Sequence, residues 1–183
     1  GYEHVLATSN GTSGLILLAR WFWKQGYRKL RVPAFTWPSS YKAFDWLGYK
    51  IRFVDIDRET WLADFGDMMF DHDELLLPVD TFGSSWDPSA DGHCTLIDSA
   101  QSLGAKWNDT SPTRIVSLSG SKIITTGEGG LILTQDKEIA DFVLGNSWFS
   151  RMGEMQAALG LAYLEKLDDI LAKKHNILAT YKM

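Results

Sequence analysis

Arg114 to Gly130 reads RIVSLSGSKIITTGEGG, and this stretch decides the fold. Ile115 to Leu118 is an apolar run of the length expected for a buried strand. Small polar residues follow, then Lys122, then Thr125-Thr126-Gly127-Glu128-Gly129-Gly130. Leu131 to Leu133 is a second apolar run and a second strand, so the glycines mark a tight connection between two strands. Desolvation lowers the pKa of an ammonium in such a place. A neutral amine is what Schiff-base chemistry with an aldehyde requires. The same loop also permits a purely structural use, with Lys122 capping the loop and pairing with Glu128.

Outward on the N-terminal side, Cys94 to Ile97 reads as another buried strand, ending on Asp98-Ser99-Ala100-Gln101. A carboxylate at the carboxyl end of a strand lies where open α/β sheets bind ligands. Asp98 can hold a protonated ring nitrogen by a charge-assisted hydrogen bond, or it can cap a following turn. Gly104 to Asn108 reads as a short extended piece. Glu74 to Val79 is a strand, followed by a loop from Asp80 to Ala90 rich in Gly, Ser and Pro. Asp57 to Asp73 is irregular and reads as a surface excursion with one helical turn. His72 and His93 have no second ligand at metal spacing, so no metal site is expected.

Further back, His4 to Ser9 reads as a strand. Asn10-Gly11-Thr12-Ser13 precedes a helical stripe of Leu15, Ile16, Leu18, Ala19, Phe22 and Trp23. A polar turn entering a helix leaves backbone N–H groups and the positive dipole end aimed at one spot, which suits a phosphate. It equally suits a plain N-cap by Asn10 or Thr12. Arg28 to Val32 is a strand running into Pro33-Ala34-Phe35-Thr36-Trp37-Pro38. A helix from Ser39 to Leu47 and a strand from Tyr49 to Val54 follow. Trp37 can stack on a flat ring or plug the loop against the core. The alternation of strand and helix argues for a mostly parallel sheet with crossover helices. On the C-terminal side, Lys137 to Leu144 is a short helix and Gly145 to Gly153 a connection. Met155, Ala158, Leu159, Ala162, Leu164, Leu167, Ile170 and Leu171 form the apolar face of one long helix.

Composition sets the bounds. The 183 residues suffice for one sizeable domain. A net charge of −5 gives no electrostatic case for nucleic acid. No apolar run reaches the length of a membrane span, and no charged-then-apolar leader opens the chain. A single cysteine, Cys94, rules out an intrachain disulfide and fits a reducing, cytoplasmic setting.

A phosphate-type turn, an aromatic after a strand, a carboxylate at a strand end and a loop lysine match one cofactor. Pyridoxal 5′-phosphate (PLP) has a phosphate, a flat ring, a pyridinium nitrogen and an aldehyde.

The motifs together resemble the DegT/StrS group of nucleotide-sugar aminotransferases, which are fold-type-I PLP enzymes. Asn10-Gly11-Thr12-Ser13-Gly14-Leu15 is similar to the family's Ser-Gly-Thr-x-Ala-Leu turn. Val32 to Trp37 resembles the strand end whose aromatic lies on the ring, and Phe53-Val54-Asp55-Ile56-Asp57 resembles Phe-Val-Asp-Ile-Asp. Asp98-Ser99-Ala100-Gln101 resembles Asp-Ala-Ala-Gln. Ser117, Lys122 and Gly127-Glu128-Gly129-Gly130 resemble Ser-x4-Lys-x4-Gly-Glu-Gly-Gly. Arg151 to Ala158 resembles Arg-Met-x-Glu-x-Gln-Ala-Ala.

The resemblance implies a three-layer α/β/α sandwich of the PLP-dependent transferase large-domain type over residues 1–183. It implies that Thr12, Ser13 and Ser117 bind the phosphate and that Trp37 lies on the ring. Asp98 would hold the ring nitrogen, Gln101 would lie near the ring hydroxyl, and Lys122 would form the Schiff base. It further implies a homodimer, glutamate as amino donor and a nucleotide-linked keto-sugar as acceptor. A lysine at position 122 favours transamination, because some relatives that dehydrate carry His there. Two differences stand out. Phe149 occupies the place where the family usually has an Asn that reaches a neighbouring subunit's phosphate. The family's N-terminal segment and C-terminal small domain are also expected to be absent. The alternative they leave open is a truncated, non-catalytic PLP-binding or regulatory relative.

Overall fold

The computed structural model describes residues 1–66, 68–87, 96–107 and 113–181. Seven strands are arranged in two hydrogen-bonded groups. β1 (His4–Thr8), β7 (Gly130–Thr134), β6 (Thr113–Ser117) and β5 (Leu96–Asp98) lie side by side in that order. β3 (Lys50–Val54), β2 (Lys29–Pro33) and β4 (Glu74–Leu76) form the second group. A parallel bridge between Val79 and Asp98 joins them. The Asp98 N–H donates to Pro78 O (3.0 Å) and the Asp80 N–H to Asp98 O (2.9 Å). Directions follow from the pairings: β7 is antiparallel to both β1 and β6, and the remaining pairs are parallel. The mostly parallel sheet expected from the sequence is therefore present, with β7 as the reversed strand.

Strands buried on both faces carry apolar residues at consecutive positions rather than alternating ones. β6 does so with Ile115 and Val116, each fully buried and facing opposite cores. On one face, α1 (Gly11–Lys24), α2 (Ser39–Asp45) and α3 (Lys137–Asn146) cover a core of Leu17, Leu18, Phe22, Phe44, Ile115 and Ile132. α1 sits close to β6 because Gly14 has no side chain, and a Cβ there would collide with the Ile115 side chain. The opposite face has two smaller cores. One, around Phe65, Trp86 and Ile97, is closed by the segment after β3. The other, around Val116, Leu118 and Leu133, is closed by Tyr163, Leu167 and Ile170. The layers are helix, sheet, then helix and loop.

Four details correct the sequence reading. The single long C-terminal helix is two: α4 (Glu154–Leu164) and α5 (Leu167–Tyr181). At the break Lys166 N–H bonds Tyr163 O, a three-residue step, and the chain turns so that Leu167 and Ile170 reach the sheet. No helix breaker marks this place, so periodicity could not find it. Residues 57–73 are more than a surface excursion. Ala63 pairs with Ile56, and Phe65 is buried against Trp86 at 5.7 Å between ring centroids. The strand from Glu74 keeps a regular ladder with β2 only to Leu76, because Pro33, the next β2 residue after Arg31 to face β4, has no N–H to continue it. Gly104 lies in a turn with φ +90° rather than in an extended piece, while Asn108 lies outside the described residues, as do His93 and Cys94. Among the described residues no helix is long and apolar enough to cross a membrane, and no group of three or more His, Cys, Asp or Glu is placed to hold a metal.

Candidate active site

A cavity of about 880 Å³ opens at the carboxyl ends of β2, β5 and β6. It is within the size range of small-molecule and cofactor sites. Thr12, Ser13, Trp37, Asp98, Gln101, Ser117 and Lys122 all line it, so the tertiary fold brings every sequence-predicted site residue to one place.

Asp98 forms its floor. It is the last residue of β5, and its side chain is buried because strands flank it on both sides. Oδ2 accepts from Ser40 Oγ at 2.7 Å and Oδ1 from the Ala100 N–H at 3.0 Å. The capping role weighed for Asp98 is thus real, and it leaves each oxygen a second lone pair toward the cavity. Burial raises the Asp98 pKa above the ordinary carboxylate range, and the charge of Asp80 adds to the rise. The bonds from Ser40 and Ala100 and the charge of Lys122 oppose it.

Under Asp98 lies a buried ion pair that the sequence reading missed. Asp80 Oδ2 accepts from Arg114 Nη1 (2.8 Å), Ser99 Oγ (2.8 Å) and Ser102 Oγ (2.7 Å). Oδ1 accepts from the Trp86 N–H (2.8 Å). Both charged side chains are fully buried, and the Arg114 guanidinium also lies 5.0 Å from the Trp107 ring. The signal was present: Arg114 directly precedes the apolar run Ile115 to Leu118 within the same buried strand, and a buried Arg needs an anion. Ser40 was missed because it sits within the apolar pattern of α2.

The phosphate-type turn is an N-cap as well. Asn10 Oδ1 accepts from the Ser13 N–H (2.8 Å) and from Ser13 Oγ (3.0 Å). The remaining first-turn N–H groups, of Gly11 and Thr12, have no partner within the helix. Ser117 Oγ lies across from them, 3.7 Å from where a Cβ on Gly11 would stand. Gly130 is required beside this turn, since a Cβ there would come within 2.6 Å of the Asn10 backbone.

Lys122 is half-buried on the cavity wall, and its N–H donates to Ser119 O (3.0 Å). Among the described residues no ion pair joins it to Glu128. Trp37 is 73% exposed and faces the cavity, not the core. Gln101 has its Oε1 engaged by the Phe82 N–H (3.0 Å), which fixes its orientation at the rim. Ser119, Ser121, Glu128 and Lys174, the last on α5, line the cavity too; the sequence reading named none of the four as site residues.

These residues fit PLP chemically. The cavity lining supplies a buried carboxylate acceptor, hydroxyls with a helix N-terminus, an amine and an exposed indole.

An α/β protein with a lysine and a buried carboxylate sharing one cavity belongs to a recognisable class. The comparisons specify which: residues 1–183 match the DegT/DnrJ/EryC1/StrS aminotransferase family, and the chain belongs to it. A GDP-perosamine synthase of Caulobacter vibrioides is 29% identical, over all of this chain and 57% of that protein. The chain thus spans a little over half the length of this curated relative. The sugar aminotransferase CalS13 of Micromonospora echinospora superposes with a TM-score of 0.83 at 21% identity, covering 97% of this chain and 60% of that one. The E. coli GDP-4-keto-6-deoxy-D-mannose-3-dehydratase, solved with bound hydrated PLP, gives 0.80 at 22% identity, covering 92% and 57%. These two likenesses show the three-layer fold.

Proposed function

We propose that this chain is the cofactor-binding large domain of a PLP-dependent aminotransferase acting on a nucleotide-linked keto-sugar, with glutamate as amino donor. The observation that carries the reading is the convergence of Lys122, Asp98 and the N-terminus of α1 on one cavity. PLP, when bound, supplies the aldehyde and the electron-accepting ring. The protein's part is electrostatic and positional. Asp98 would hold the proton on the ring nitrogen, since a carboxylate already fixed by Ser40 and Ala100 pays little further orientation cost. Gly11, Thr12 and Ser117 would bind the phosphate by N–H and O–H donors; Ser13, whose N–H and hydroxyl both donate to Asn10 Oδ1, would join them by turning its hydroxyl away from Asn10. Trp37 would cover the ring face and Gln101 its hydroxyl edge. Lys122 would hold the aldehyde through its amine and would serve as general acid and base toward the substrate carbon.

The test is a half-reaction. Protein loaded with PLP and given glutamate is expected to exchange the visible cofactor band for the near-ultraviolet band of the amine form, releasing 2-oxoglutarate. A persistent visible band would instead support the non-catalytic relative, the reading favoured by Phe149. That residue is 43% exposed and packs on Trp148 at 5.5 Å, where the family usually has Asn.

We further propose a homodimer in a cytoplasmic setting. Met155, Leu161 and Leu164 of α4 are 84%, 65% and 47% exposed, and Trp148 beside them is 76% exposed. A helix apolar on all sides belongs in an interface. Light scattering on the eluting protein is expected to give twice the 20.6 kDa chain mass; a monomer would refute the dimer.

A further inference from the structure

Three aromatic side chains meet at the rim of the cavity and belong to no core. Phe35, Trp61 and Phe82 are 45%, 45% and 69% exposed. Their ring centroids are 5.3 Å (Phe35–Trp61), 6.1 Å (Phe35–Phe82) and 6.0 Å (Trp61–Phe82) apart. Interplanar angles of 50°, 63° and 69° mean that no pair is stacked, so the rings wall a corner. They come from three separate segments: the loop after β2, the turn that follows Asp57 beyond β3, and the 3₁₀ turn Thr81–Gly83 after β4.

The backbone is bent to put them there. Trp61 (φ +63°) and Phe82 (φ +54°) are the two non-glycine residues with positive φ among the described residues. Bulky residues avoid this region, and such conformations cluster at binding sites. Both are held by well-made turns. Asp57 Oδ1 accepts from the Glu59 and Thr60 N–H groups and from Thr60 Oγ1, and the Trp61 N–H donates to Asp57 O at 2.9 Å. The Phe82 N–H is fixed by Gln101 at 3.0 Å. Phe82 and Gln101 both line the cavity, and Thr36 and Trp37, next to Phe35, line it as well. The corner is therefore continuous with the proposed cofactor site.

We infer that the Phe35–Trp61–Phe82 corner is the docking site for the nucleobase of the sugar nucleotide. This rests on the proposed function for its substrate class. A rigid aromatic wall beside the reacting cavity suits a flat base whose attached diphosphate and sugar extend inward. Stacking on rings tolerates different bases, so the corner would give affinity and reach rather than choice of base.

The experiment uses the whole chain, with PLP uptake read separately by visible absorbance. UDP, GDP and dTDP are titrated calorimetrically, with inorganic pyrophosphate as control. The expected result is one nucleoside diphosphate site per chain, at least tenfold tighter than pyrophosphate. Trp61→Leu and Phe82→Leu are each expected to weaken it by about 5- to 150-fold, the range that base–aromatic stacking supports, with pyrophosphate binding and PLP uptake unchanged. Unfolded variants would not block the test: on the unaltered protein, saturating the aromatic protein protons should attenuate the base protons most strongly. Nucleotides no tighter than pyrophosphate, full affinity in both variants, or loss only of self-association would each overturn the inference. Failure of PLP uptake would sink the proposed function while the titration still reads the aromatic site.

Discussion

Lys122→Ala is expected to abolish the visible absorbance band that PLP gives when bonded to a protein amine. It is also expected to slow the glutamate half-reaction by 10²-fold or more, since proton transfer by a positioned side chain contributes about 10²–10⁴. Lys122 shares its cavity with Asp98, Trp37 and the α1 N-terminus, and its charge acts on Asp98. The variant should still fold, because the Lys122 N–H bond to Ser119 O is made by the backbone and survives the substitution. It should still retain PLP through the phosphate and ring contacts, so equilibrium dialysis separates loss of bonding from loss of binding. An unchanged visible spectrum would move the chemistry to another amine. Lys174, which lines the same cavity from α5, is the first to examine.

The second large effect is expected at Asp98. Asp98→Asn replaces a carboxylate by an amide of the same shape, which cannot keep a ring nitrogen protonated. A hydrogen bond to a charged group contributes about 1.5–3 kcal/mol. PLP affinity should therefore fall by about 10- to 150-fold, and the half-reaction more steeply, because the electron-accepting form of the ring is lost. Calorimetric PLP titration and stopped-flow absorbance give the two numbers.

The same variant has an opposite effect on the PLP-free protein. Burial raises the Asp98 pKa, so the native state binds its proton more readily than the unfolded state does. Stability from this group is therefore full below the ordinary carboxylate pKa and is lost as pH rises toward the raised native value. Asp98→Asn removes that dependence. Its melting temperature relative to the unaltered protein should climb through this pH window and then stay level. A difference independent of pH would show that the charge carries no penalty.

The loop from Ser117 to Gly130 was legible because its constraints are local. Gly127 has a backbone conformation, φ +79°, that side chains disfavour, and Gly130 lies against the Asn10 backbone where a side chain is excluded. The strands flanking it announce themselves by consecutive apolar residues, Ile115-Val116 in β6 and Leu131-Ile132-Leu133 in β7, packed on both faces. Thr12, Ser13, Asp98 and Lys122 were found for the same reason, since each stands at the junction of an apolar run and a polar turn. Ser40 and Asp80 were not, because their roles depend on partners 58 and 34 residues away, Asp98 and Arg114.

By itself the sequence determined the strand–helix rhythm, the mostly parallel sheet and the residues that converge on one cavity. These rest on periodicity and on the few backbone conformations a turn allows. Only the tertiary structure decided that the C-terminal helix breaks at Lys166 and that Arg114 pairs with Asp80 beneath Asp98. It also decided that Phe35, Trp61 and Phe82 meet at the rim. Those outcomes depend on which distant surfaces come to face each other, and no local pattern encodes the partner of a buried charge or an exposed ring.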